Sequence, residues 1–171
     1  MLSSPPRELG SHLALALYCT LRDMTGARFL EDLSVGETKT TGRVSVSATD
    51  IIEFAKGYDP QPMHMDPSGS DSFGGLIASG WHTAALVMRL LADSRLLGST
   101  PLLGLGVDDL RWPKPVRPGD TIQAETETLS IRRSQSQPCY GVVRMRVTAR
   151  NQYGDVVYVM TTNLWVPSRN P

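Results

Sequence analysis

The alternation of apolar and polar positions divides the chain into elements of two periods. From Gly36 to Ser47 it is polar and threonine-rich, with Val44 and Val46 alternating, which predicts a strand ending near Ser47. Ser47 or Thr49 then caps a short helix with Ile51, Ile52, Phe54 and Ala55 on one side and Gly57 at its end. The longest helical signal runs from about Gly80 to Leu97. Its apolar set (Trp81, Ala84, Ala85, Leu86, Val87, Met88, Leu90 and Leu91) wraps most of the circumference, and charge enters only at Arg89, Asp93 and Arg95, so the helix is expected to be buried nearly all round. Strand patterns follow. Gly104 to Trp112 leads into a Pro/Gly turn over 113–120; Ile122, Ala124, Thr126 and Thr128 then alternate with Gln123, Glu125 and Glu127; and Val143, Met145, Val147 and Ala149 alternate with Arg144, Arg146, Thr148 and Arg150. After a hairpin connection at 151–155, Val156 to Val166 forms the closing strand. These pieces predict an α+β domain in which a curved antiparallel sheet packs around one long central helix.

The first 23 residues fall outside this pattern. Leu9 to Leu21 is apolar but too short to span a bilayer, and Arg7 and Glu8 precede it rather than a clearly positive segment. Residues 1–23 are therefore read as an extension without chemistry, and 24–171 as one domain, a size that buries enough apolar surface to fold without disulfides or metal. The 17 basic and 17 acidic side chains cancel, which argues against nucleic acid or an anionic membrane as a partner. Cys19 and Cys139 match neither a metal-knuckle spacing nor a disulfide framework, which suits the cytoplasm.

Candidate chemistry concentrates in Tyr58-Asp59-Pro60-Gln61-Pro62-Met63-His64-Met65-Asp66-Pro67. Three prolines in ten residues predict a stiff, extended loop that fixes an Asp-x4-His-x-Asp spacing at low entropic cost. Asp66, before Pro67, reads as a cap or turn residue, and His82, in the first turn of the long helix, as a packing residue. With three histidines in the chain and no companion spacing among them, no metal site is expected. Gly74-Gly75 gives a backbone able to approach a ligand closely. Residues 76–80 are small, so they are expected to leave the helix N-terminus open, with free N–H donors for an anion or a polarised carbonyl oxygen.

Gly57 to His64 with the following Asp66-Pro67, the run Phe73-Gly74-Gly75-Leu76-Ile77-Ala78-Ser79-Gly80, and the turn Pro115-Val116-Arg117-Pro118-Gly119-Asp120 together resemble the MaoC-like dehydratases, which include the (R)-specific enoyl-CoA hydratases. The resemblance extends from about Arg28 to Val166. It implies a hotdog fold, dimers or higher homo-oligomers with sites near the subunit interface, an acyl-CoA substrate and no cofactor. By similarity Asp59 and His64 fall on the family's catalytic pair, and Gly80 on the glycine whose N–H polarises the thioester carbonyl; Ser79, Gln61 and Gly75 complete the expected site. Two positions depart from the family pattern: Gln61 stands in an asparagine's place, and Ser79 where a histidine is often found. Arg111, Lys114 and Arg117 border the site as either a solvated rim or contacts for CoA phosphates.

The activity so implied is addition of water to a 2-enoyl thioester, or its reversal. Such a reaction needs a base for water, an acid for the α-carbon and donors for an enolate-like oxygen, which Asp59, His64 and the Gly80 N–H could supply, with the order of proton transfer open. Two other functions compete. A hotdog thioesterase would place a carboxylate on or near the central helix, and only Asp93, far from its N-terminus, is there. A non-catalytic acyl-thioester binder would share the fold without needing Asp59.

Overall fold

The computed structural model describes residues 26–67, 73–101 and 103–169. The expected extension, residues 1–23, lies outside them, as does the stretch between Pro67 and Phe73.

Five strands, β1 (Thr38–Ser45), β2 (Leu103–Arg111), β3 (Thr121–Arg133), β4 (Tyr140–Arg150) and β5 (Val156–Pro167), form one antiparallel sheet in the order β1-β3-β4-β5-β2. The alternation does the sorting. On β4, Val143, Met145, Val147 and Ala149 are buried while Arg144, Arg146 and Arg150 point to solvent, and on β3 the buried set is Ile122, Ala124, Thr126 and Thr128. The inward set packs on Ile51, Val87 and Leu91 from the helices, giving one continuous core. This is the expected hotdog arrangement.

Among the described residues, three α-helices lie between β1 and β2. The first, α1 (Ala48–Tyr58), opens with a capping box in which Ser47 Oγ accepts the Asp50 N–H at 3.1 Å and Asp50 accepts the Ser47 N–H at 3.0 Å. It runs past Gly57, and Asp59 is its C-cap, with the N–H donated to the Ala55 carbonyl at 3.0 Å. The proline-rich stretch is not extended throughout: Pro62–Met65 is one helical turn, α2, with Pro62 at the first position, where a missing N–H costs nothing.

The central helix, α3 (Gly80–Asp93), is shorter than its apolar pattern predicts. Arg95 adopts φ 46°, which ends the helix, and Leu96 and Leu97 are buried in the turn beyond it. Nor is it buried all round. His82, Thr83, Val87, Leu90 and Leu91 face the core, whereas Trp81 and Met88 are 61% and 52% exposed on the outer face. At the sheet edge β2 is open along nearly its whole length, with Leu103, Leu105 and Val107 about half exposed.

Candidate active site

The end of α1, the turn of α2 and the start of α3 converge on Asp59. Its Oδ2 accepts the Ser79 hydroxyl at 2.6 Å and its Oδ1 accepts the Gln61 side-chain amide at 2.7 Å. These two donations, chiefly that of Ser79, hold the Asp59 carboxyl below its ordinary range, with a smaller contribution from nearby His64 against the opposing effect of burial. The carboxylate is fixed from three directions: its own backbone caps α1, Gln61 braces it within the loop, and Ser79 ties it across to α3.

His64 lies on α2 and is 6% exposed. Its Nδ1 is 2.8 Å from the Ile77 carbonyl, an oxygen that can only accept, so Nδ1 carries the proton. This leaves Nε2 facing Asp59 Oδ2 at 3.4 Å. In the neutral ring a lone pair and a carboxylate then face each other as two acceptors with no proton between them, an arrangement that one water donating to both would satisfy. The backbone reinforces the placement, because the Ile77 N–H donates to the Met63 carbonyl at 3.1 Å and the His64 N–H to Gln61 at 2.9 Å.

The N-terminus of α3 is partly occupied. Ser79, 1% exposed, is its N-cap, and Oγ accepts the Trp81 N–H at 3.2 Å while donating to Asp59. The expectation of an entirely open terminus is therefore corrected, since the serine serves the helix and the carboxylate together. Gly80, the first helical residue, has no acceptor within the helix by geometry, so its N–H is one of the donors this end can offer a ligand. A Cβ on Gly80 would lie 2.8 Å from Trp112 Cε2, so only glycine permits this approach of the indole. Trp112 packs on the start of α3, a placement that periodicity does not reveal.

The remaining expected residues divide. Gly75 has φ 105°, which favours glycine, and space for a Cβ around it, but no contact joins it to the Asp59–His64 pair. Asp66 is the C-cap of α2. Arg117 donates to the Gly74 and Phe73 carbonyls at 2.9 and 2.6 Å, and Lys114 pairs with Asp155 at 2.6 Å, so both have partners within the chain. His82 stacks on Phe54 of α1 at 4.8 Å between centroids. No group of three His, Cys, Asp or Glu residues among those described is arranged to hold a metal ion.

The family model for the MaoC like domain matches residues 33–151, which spans both the loop and the helix that build this site. The chain belongs to the MaoC-like domain family. A MaoC-like dehydratase from Rhodospirillum rubrum is similar in sequence and structure, at 44% identity and a TM-score of 0.78, over 84% of this chain and 99% of that one. The (R)-hydratase PhaJ1 from Pseudomonas aeruginosa is 26% identical with a TM-score of 0.67, over 83% of this chain and 87% of its own. Mesaconyl-CoA hydratase of Cereibacter sphaeroides is 33% identical over 137 residues, 76% of this chain but 38% of the hydratase. The MaoC-like relatives thus include hydratases, and this chain spans well under half of one of them.

Proposed function

We propose that the protein adds water to a 2-enoyl-CoA thioester, or removes it from the 3-hydroxyacyl product, with Asp59 and His64 gripping one water. The observation that carries this reading is the 3.4 Å juxtaposition of His64 Nε2 and Asp59 Oδ2 beside the α3 N-terminus. The water oxygen bonds to C3, one of its protons passes to the pair, and a proton returns from the pair to C2. The Gly80 N–H takes the negative charge that builds on the thioester oxygen, an interaction worth about 3 kcal/mol in comparable sites. With its pKa lowered, Asp59 stays ionised and orients the water, while the Nε2 lone pair of His64 is suited to accept its proton.

An apolar cavity of about 210 Å3 between α3 and the sheet, lined by residues including Met88, Leu91, Val107, Met145 and Met160, offers space for an acyl chain. A second copy of the chain is proposed to cover the open faces of α3 and β2, which meet at this cavity.

Loss of enoyl-thioester absorbance on mixing with a panel of straight and branched 2-enoyl-CoA substrates tests the reading. Asp59→Asn and His64→Ala are each expected to lower kcat by about 10²–10⁴-fold while circular dichroism stays native. Hydration at undiminished rate by either folded variant would overturn the assignment.

A further inference from the structure

The edge strand β2 ends at Arg111, and the segment that follows turns back beneath the start of α3. Its path is tied down at several points: the Val116 carbonyl accepts the Ala78 N–H at 2.8 Å, and the Arg117 guanidinium holds the Phe73 and Gly74 carbonyls. Trp112 is the residue this path delivers to Gly80. A Cβ on Gly80 would fall 2.8 Å from Cε2 and 2.9 Å from Cδ2, so the fused bond of the indole covers the glycine α-carbon. Trp81, the next helical residue, meets the ring edge-to-face at 5.4 Å and 75°, which fixes the ring plane. Trp112 nevertheless remains 39% exposed. A clamped aromatic ring with open surface, beside a first helical N–H that has no acceptor within its own helix, is placed to meet a ligand.

We propose that Trp112 is a substrate-positioning residue, a flat wall beside the Gly80 N–H against which the planar enoyl-thioester unit lies. The proposal rests on the hydratase reading of the site. A conjugated C=C–C(=O)–S unit is flat, and its carbonyl accepts a hydrogen bond near its own plane. The N–H alone fixes the oxygen and leaves the unit free to rotate about that bond. An indole face alongside removes the rotation, so that one face of the double bond turns toward the Asp59–His64 pair. The same contact gives Gly80 a second role: besides supplying its N–H, it is the residue that lets the wall stand this close.

The test uses the native protein with Trp112→Ala, Trp112→Phe and Trp81→Phe, read by hydration of 2-butenoyl-CoA and by indole emission on titration with butyryl-CoA, a saturated thioester that cannot be hydrated. Trp112→Ala is expected to lower kcat/KM by about tenfold to a hundredfold, with most of the loss in kcat. Trp112→Phe, which keeps a flat face, is expected to restore activity to within about threefold of native. Butyryl-CoA is expected to change the emission of the native protein and of Trp81→Phe but not of Trp112→Phe. The wall is overturned if folded Trp112→Ala matches native kcat/KM, or if Trp112→Phe responds to butyryl-CoA as the native protein does. If the native protein hydrates no enoyl-CoA yet the emission change depends on Trp112, the hydratase reading falls and the wall stands as part of a thioester-binding site. Hydration by the native protein with no effect of Trp112→Ala has the opposite meaning.

Discussion

The two sides of α3 differ in how completely they are satisfied within one chain. At its N-terminus the polar side chains are tied to one another and to the backbone: Ser79 joins the helix cap to Asp59, Gln61 holds the second carboxylate oxygen, and His64 is locked by the Ile77 carbonyl. Along its outer face, and on the neighbouring edge strand, Trp81, Met88, Leu103, Leu105 and Val107 are each more than half exposed. The Asp59–His64 pair is therefore assembled by local hydrogen bonds and needs no second molecule to acquire its shape. The apolar cavity between α3 and the sheet opens beside this exposed face, and contiguous exposed apolar surface is of the kind that marks association sites. In this reading chemistry and substrate enclosure are separable.

That separation can be broken from the apolar side. Leu105→Asp combined with Val107→Asp would place two charges where the second copy is proposed to dock, and burying each unpaired charge costs several kcal/mol. Sedimentation or light scattering should show the native assembly giving way to monomer at micromolar concentration. The Asp59–His64 geometry should survive, so the monomer should retain its near-native circular dichroism and lose affinity for longer acyl chains first. A native protein that is already monomeric at tens of micromolar would remove the basis for the second copy.

The difference between the two sides also explains what the sequence discloses. Strand alternation from Ile122 to Ala149 survives into the structure because a period of two has one solution once a face is buried. The Asp59–His64 pairing is legible because prolines fix a short spacing, although the helical turn at Pro62–Met65 was hidden by a proline that suits a first helical position. The length of α3 was overread because Leu96 and Leu97 continue its apolar pattern after Arg95 has ended the helix. The Ser79–Asp59 bond joins residues 20 positions apart and follows from tertiary packing, which no local pattern around Ser79 encodes. Trp112 was invisible for the same reason, since nothing local relates the end of β2 to the start of α3.

On the satisfied side, Ser79→Ala sharpens the comparison with a smaller effect. It removes the larger of the two donations that lower the Asp59 pKa, and a hydrogen bond to a charged group contributes about 1.5–3 kcal/mol. The carboxyl pKa should rise toward its ordinary value, so the acid limb of the hydration rate should move to higher pH, with the rate at neutral pH about tenfold lower. Stability follows the same sign: a carboxyl whose folded pKa is depressed stabilises the fold above its unfolded pKa and loses that contribution as pH falls. The variant should therefore show a shallower acid-side loss of melting temperature. An unchanged rate–pH profile would mean that Ser79 serves the helix cap alone.

The smallest effect is expected at His82, where α1 and α3 meet. The ring is 5% exposed, is stacked on Phe54, and has an Nδ1 without a hydrogen-bond partner among the described residues. Burial lowers its pKa below 6.5, with Asp50 partly opposing. The folded state thus holds the neutral ring, while the unfolded chain protonates near 6.5, so this residue's contribution to stability is present above that pH and is lost as pH falls below it. At pH 5 the loss is capped at about 2 kcal/mol, since one group contributes about 1.4 kcal/mol per pH unit. His82→Phe keeps the stack and removes both the titration and the orphan nitrogen. Denaturant melts at pH 7.5 and 5 should show the native protein losing more stability between the two than the variant does. Equal losses would show that the α1–α3 contact titrates through another group, leaving Asp50, on the same helix as Phe54, as the next to replace.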